Sequence, residues 1–202
     1  MVGMIPVTPQ PEPPTFDSNV RQPGLAWLKG KGLSLANPLP KATKPHPYWQ
    51  ACLDDLHKSY SGVCAYLAVY IERAIGAAST DHFVAKSANA GLTYEWSNYR
   101  LACLAMNSRK LAFDDVLDPF TLPTGLFRLE LVSGHVFINP AIVGQLLAEA
   151  EDTIERLKLD SPGNRSMRAQ HYQEYVQGEI SAGHLRKMSP FVWQEAQRQG
   201  LL

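Results

Sequence analysis

Ten of the fifteen prolines lie before residue 48, and that bias divides the chain before any other signal is read. They are Pro6, Pro9, Pro11, Pro13, Pro14, Pro23, Pro38, Pro40, Pro45 and Pro47. Each fixes φ and removes a backbone donor, so regular structure is not expected across residues 1–47. Two readings fit this stretch: a flexible tail, or an ordered extended arm. For an arm, Val20, Leu25, Trp27, Leu28 and Leu33 would supply the apolar anchors.

Beyond the proline-rich stretch, the chain is long enough for one ordinary core with an appended helical piece. With 45% hydrophobic and 19% charged residues, its bulk reads as globular. No apolar run reaches about 18 residues, so no membrane span is expected. No Lys or Arg precedes an apolar core at the N-terminus, so no secretory signal is expected either. Cys52, Cys64 and Cys103 are odd in number and sparse, which suits a reducing cytoplasm better than a disulfide scaffold. A formal net charge of zero removes the broad basic footprint of an autonomous nucleic-acid binder. It leaves room for a local basic patch or a basic partner.

Local patterns predict the elements. Tyr48, Cys52, Leu53, Leu56 and Tyr60 recur at helical intervals, and Gly62 ends that helix. The run 63–75 fits strands or a helix equally well. From Asp81 to Lys110 a hairpin-like loop, turning near Gly91, leads into a helix that starts near Asn98 or shortly after. Residues 114–125 read as a loop, and the acidic cluster Asp114, Asp115 and Asp118 as its solvated part. Phe127, Leu129 and Leu131 alternate with Arg128 and Glu130, and Ser133-Gly134 precedes Val136-Phe137-Ile138, which predicts a β-hairpin. Asn139 then caps a helix opened by Pro140, with Ile142, Leu146, Leu147, Ala150, Ile154 and Leu157 as its apolar stripe. Ser161-Pro162-Gly163 ends it. An amphipathic segment follows over 164–180, Gly183 separates it from the last one, and Ser189 caps Pro190.

The chemistry-bearing residues concentrate between Asp81 and Lys110. Hydrolysis of a phosphodiester needs an activated water, a sink for transition-state charge, and help for the leaving 3′ oxygen. His82 suits the first task, because a neutral imidazole takes a proton near neutral pH. Asp81 and Asn107 offer hard oxygens that suit Mg²⁺ or Mn²⁺ better than zinc. Strand neighbours point to opposite faces, so Asp81 and His82 are expected to approach a metal from different directions. An isolated Asp-His pair is usually a surface or capping pair. The company of Asn98 and Asn107 gives it functional weight.

The stretch Cys64 to Lys110 resembles the HNH, or ββα-metal, endonuclease family. The resemblance is carried by Asp81-His82, Asn98, Asn107 and the flanking wording Cys-Ala-Tyr at 64–66 and Tyr-Glu-Trp-Ser-Asn-Tyr-Arg-Leu-Ala-Cys at 94–103. It implies that Asp81 and Asn107 bind a metal, that His82 is the general base, and that Asn98 braces the loop through its side chain. Lys86, Arg109 and Lys110 match basic positions that meet phosphate oxygens. It also favours a turn and a strand over 63–75 leading to Asp81. The wording is similar to small bacterial HNH proteins of Septu-type and retron-type anti-phage systems, some encoded beside ATPases.

Two departures stand out. Many such proteins hold a structural zinc with two Cys-x-x-Cys pairs, but Leu67 and Met106 stand where the second cysteine of each pair would be. Structural zinc is therefore not expected, and apolar packing of Leu67 and Met106 replaces it in this reading. Ala85 stands where the family often has Pro.

The resulting expectation is an α+β fold. A proline-rich arm occupies 1–47, a central ββα-metal nuclease core 48–120, and a hairpin with a mainly helical region 121–202. The expected activity is a cytoplasmic, Mg²⁺- or Mn²⁺-dependent DNA endonuclease. DNA is the expected partner, an ATPase subunit of a defence complex and further copies of this chain are compatible ones, and no membrane is involved. The alternative is a non-catalytic interaction subunit that retains the scaffold.

Overall fold

The structure is a computed structural model that describes residues 6–202, and the first five residues of the expected arm lie outside it. The fold is mixed α and β, with two antiparallel two-stranded sheets among the described residues. The chain divides into two compact units, each built from non-contiguous segments.

One unit comprises Pro9–Gly62 and Glu72–Asp114. At its centre β1 (Ala78–His82) pairs antiparallel with β2 (Tyr99–Cys103), in a register that sets Ala78 opposite Cys103 and His82 opposite Tyr99. The helix α3 (Leu104–Lys110) follows β2 without a loop and buries Met106 and Lys110, one turn apart on the same face. The expected helix start near Asn98 is thus displaced. Asn98 ends a short 3₁₀ turn (Trp96–Asn98), and the next five residues pair with β1. Tyr99 and Leu101 are fully buried in this ladder, which holds the segment extended.

The proline-rich stretch is more regular than its composition suggests. A π-helical turn (Asp17–Arg21) runs into α1 (Gln22–Gly30). The physical reason is positional: Pro23 falls just where the π-helical turn passes into α1, and the change of hydrogen-bond register there accommodates its missing N–H. No further proline occurs until Pro38. Val20 and Leu28 are fully buried, while Leu25, Trp27 and Leu33 are half-buried. Phe16 sets its ring edge against Trp96 and Tyr99, at centroid distances of 5.5 and 5.7 Å. Trp96 Nε1 donates to Gln10 O at 2.8 Å, and Arg21 pairs with Glu12, Asp17 and Glu95. The expected helix after Pro47 is present as a 3₁₀ turn (Tyr48–Cys52) continuing into α2 (Leu53–Ser59).

The other unit comprises residues 6–8, Val63–Ile71 and Asp115–Leu202. Residues 63–75 are neither helix nor strand. A turn closed by Ala68 N donating to Cys64 O carries one isolated bridge, Val63 to Tyr70, and the strand that leads to Asp81 is confined to β1. The predicted hairpin is present as β3 (Phe127–Glu130) and β4 (His135–Ile138). The helix expected at Pro140 starts later. Asn139 Oδ1 accepts from Ala141 N in a local turn, which competes with helix, and α4 (Gln145–Leu157) begins after Gly144 at φ +68°. Lys158, in the left-handed region, ends α4. Pro162, expected as a stop, instead opens α5 (Pro162–Val176). Gly183, expected as a separator, lies inside α6 (Ala182–Met188), while α7 (Pro190–Arg198) follows Ser189, whose side chain makes no capping hydrogen bond. No helix among the described residues is long and apolar enough to cross a membrane.

Candidate active site

The end of β1 delivers Asp81 and His82, and α3 brings Asn107 back to the same strand. Asn107 Nδ2 donates to Ser79 Oγ at 3.1 Å and lies 3.4 Å from Thr80 O. Ser79 Oγ in turn donates to Ala102 O at 2.8 Å, so the amide is oriented by a hydroxyl that is itself fixed to β2. Asp81, His82, Lys86 and Asn107 line one cavity of about 600 Å³. Asp81 and His82 reach it although they are strand neighbours. His82 is the last residue of the ladder, where strict alternation no longer binds the side chain.

His82 is buried, at 4% exposure, and held on several sides. Its Nε2 lies 2.9 Å from Thr93 O. A carbonyl only accepts, so Nε2 carries the proton and Nδ1 keeps the lone pair. Thr93 O also accepts from Tyr99 Oη at 2.9 Å. Tyr99 and Trp49 each approach the imidazole edge-to-face, at 4.9 and 4.8 Å. The pKa of His82 is pushed down to about 3, first by burial and then by the Lys86 ammonium, with the Thr93 carbonyl opposing and Lys110 adding a smaller push downward. The ring is therefore neutral at ordinary pH, and in this buried setting it is a weaker base than a free imidazole.

Lys86 Nζ stands 3.4 Å from His82 Nδ1 and 4.8 Å from the centroid of the Trp49 ring. Burial lowers its pKa, Asp81 opposes that, and Lys110 adds to it. Asn98 lies outside the cavity and braces the loop that carries Lys86. It accepts from Val84 N at 2.8 Å and donates to Val84 O and Leu92 O, each at 3.0 Å.

The two remaining basic residues part company. Lys110 is fully buried. Its Nζ donates to Phe83 O at 2.8 Å and His82 O at 3.3 Å, and lies 3.5 Å from Asp81 Oδ2. The ammonium thus ties the helix to the end of β1, and no part of Lys110 lines the cavity. Arg109 is half-buried and is also outside the cavity lining.

Asp81 and Asn107, a carboxylate and an amide, both line the cavity and are hard-oxygen donors in kind, although Asp81 is only 2% exposed; no cysteine lines it. Among the described residues no group of three or more His, Cys, Asp or Glu side chains is placed to hold a metal ion. Asp81 and Asn107 would be the protein donors for a hard cation such as Mg²⁺, which would supply charge neutralisation there. Of the two cysteines compared above with a zinc pattern, Cys64 is buried and accepts from Leu67 N at 3.4 Å, and Cys103 is half-buried. Met106 is fully buried, and Leu67 only half.

Sequence reasoning missed one whole wall of the cavity. Leu39, Pro40, Lys41, Thr43, Pro45 and Trp49 line it, all from outside the motif. Trp49 was legible only as an aromatic near the start of a helix, and no local pattern marked it as a neighbour of His82. Thr93, whose carbonyl fixes the imidazole tautomer, was equally silent because its contribution is a backbone oxygen.

No protein-family model, curated protein or solved structure gives a significant match to this chain.

Proposed function

We propose that this protein is a metal-dependent endonuclease of the HNH type, hydrolysing phosphodiester bonds of DNA. The observation that carries the reading is the convergence of Asp81, His82, Lys86 and Asn107 on one cavity beside two antiparallel strands and a helix.

His82 Nδ1 takes a proton from the attacking water, and the hydrogen bond from Nε2 to Thr93 O stabilises the imidazolium that forms. The hydroxide oxygen bonds to phosphorus as the bond to the 3′ oxygen breaks, and the departing 3′ oxygen takes a proton from solvent water, leaving 5′ phosphate and 3′ hydroxyl ends. Asp81 and Asn107 would hold Mg²⁺ or Mn²⁺. Such an ion, when bound, neutralises charge on the phosphoryl oxygens and the departing oxygen. Lys86 supplies a cation to a non-bridging phosphate oxygen, and Arg109 a further one at greater distance. Asn98 keeps the backbone of Val84 in place, and with it the approach of Lys86.

Recruitment by an ATPase subunit, in an anti-phage complex, fits the zero net charge, because a partner would then supply the attraction for DNA. Co-purification of the tagged chain with such a subunit is the check. The second reading, a non-catalytic interaction subunit, is favoured by one contact: Lys110 Nζ already lies 3.5 Å from the Asp81 carboxylate. A plasmid-nicking assay with Mg²⁺, Mn²⁺ and EDTA separates them. EDTA-sensitive nicking supports the nuclease. Metal binding without nicking supports the interaction subunit.

A further inference from the structure

Trp49 lies outside the Asp81–Lys110 stretch, yet it touches the two residues on which the proposed chemistry turns. Its ring meets the His82 imidazole nearly at right angles, with centroids 4.8 Å apart and an interplanar angle of 86°. The Lys86 ammonium stands 4.8 Å from the centroid of the same indole. An indole face attracts an ammonium through its quadrupole, most strongly where water is excluded. Held there, Lys86 Nζ lies 3.4 Å from His82 Nδ1, the one imidazole nitrogen not committed to Thr93. That nitrogen carries the lone pair needed to take a proton from water, and here the lone pair faces a donor.

Trp49 is itself firmly placed. Its backbone carbonyl accepts from Cys52 Sγ at 3.2 Å, and its ring lies 6.1 Å from Tyr94, whose hydroxyl donates to His46 O at 2.9 Å. Behind Tyr94, Gly24 leaves the room its ring occupies: a Cβ there would stand 2.2 Å from Tyr94 Cγ. The indole is a built seat.

We propose that Trp49 is a positioning residue of this centre: it parks Lys86 against His82 Nδ1 until a phosphodiester draws the ammonium away and frees the base. The idea rests on the nuclease reading for its purpose. A phosphate oxygen is an anion and competes for an ammonium far better than a neutral imidazole nitrogen or a ring face does. Arrival of the substrate and exposure of the base thereby become one event, and water at an empty centre meets a capped imidazole.

Histidine-selective nitrogen NMR tests this in EDTA, with no metal and no turnover, using a short single-stranded DNA oligonucleotide as the probe. The His82 resonances are assigned by their loss in His82→Gln. Lys86→Met is expected to shift the Nδ1 resonance. Oligonucleotide is expected to move the wild-type resonance towards the Lys86→Met position and to leave Lys86→Met itself unmoved. Trp49→Ala is expected to lie near the Lys86→Met position before any DNA is added, with Trp49→Phe between it and wild type. If Trp49→Ala does not fold, Trp49→Phe and Lys86→Met decide. The proposal is overturned if Lys86→Met leaves Nδ1 unshifted, if saturating oligonucleotide does not move the wild-type resonance, if Lys86→Met responds to DNA as wild type does, or if Trp49→Phe matches wild type throughout. DNA cleavage with an unmoved resonance rejects the latch alone. A moved resonance without cleavage rejects the nuclease reading alone.

Discussion

Asn98 and Val84 hold each other by a reciprocal pair of hydrogen bonds, with Val84 N donating to Asn98 Oδ1 at 2.8 Å and Asn98 Nδ2 donating to Val84 O at 3.0 Å. A third bond, from Nδ2 to Leu92 O, ties the middle of the loop between β1 and β2 to its end. Asn98→Ala strips all three partners at a buried site, and the expected loss of stability is about 2–4 kcal/mol. Asn98→Asp keeps the acceptor but sets a carboxylate against the Val84 and Leu92 carbonyl oxygens at the same buried site, so its cost should match or exceed that of Asn98→Ala. Urea unfolding of the two variants measures the order, and equal stability of Asn98→Ala and wild type contradicts the bracing role.

Arg109 and Lys110 are adjacent in sequence and should behave oppositely. Lys110→Met leaves the Asp81 carboxylate buried without its ammonium and two carbonyls unpaired, for an expected cost of about 3–5 kcal/mol. Arg109→Ala should cost under about 1 kcal/mol. It should weaken DNA binding and lower the salt dependence by about one phosphate contact. Unfolding curves read the first effect, and DNA binding at several salt concentrations the second.

Acid should destabilise the unit through His82. Its folded pKa of about 3 lies below the roughly 6.5 of a free imidazole. Between those values the unfolded chain binds a proton that the folded chain refuses. The stability is fully present above about pH 6.5 and is lost as pH falls towards about 3, at up to about 1.4 kcal/mol per pH unit. Urea midpoints of wild type and His82→Gln, taken between about pH 7 and about pH 4, should converge as pH falls. Parallel lines would remove His82 as the cause.

Gly24→Ala offers a test in which two effects have opposite signs. Helix propensity alone favours Ala over Gly in α1 by about 1 kcal/mol. The added Cβ, however, would stand 2.2 Å from the Tyr94 ring, which is itself buried. Overpacking should win, with a net loss of about 1–2 kcal/mol. A stabilised Gly24→Ala would mean that Tyr94 yields freely and that the seat of Trp49 is softer than described.

The sequence revealed its elements where its local signals agreed. The hairpin at 127–138 combines strict alternation with a Ser-Gly turn, and the helix after Pro47 has an unbroken apolar stripe. Reading failed where two signals competed. Proline density masked α1, because the one proline inside it falls where a π-helical turn passes into the α-helix. Asn139 reads as a helix cap but spends its side chain on a local turn and on Gly125 O. In the cavity, Asp81, His82, Lys86 and Asn107 were named from residue order, since they lie within one contiguous stretch. Lys110 shows the limit of that approach: residue type marked it as basic, and only burial turns it inward. The wall from Leu39 to Trp49 is joined to the motif by tertiary contact alone, which no local periodicity encodes.

Single-turnover cleavage of end-labelled DNA, by wild type and by a His82→Ala variant first shown to be folded by near-ultraviolet circular dichroism, tests the central claim most directly. Wild type should cut with Mg²⁺ and stop in EDTA, and His82→Ala should be slower by about 10²–10⁴-fold. A folded His82→Ala that cuts at the wild-type rate, or a wild type that cuts undiminished in EDTA, would contradict the account.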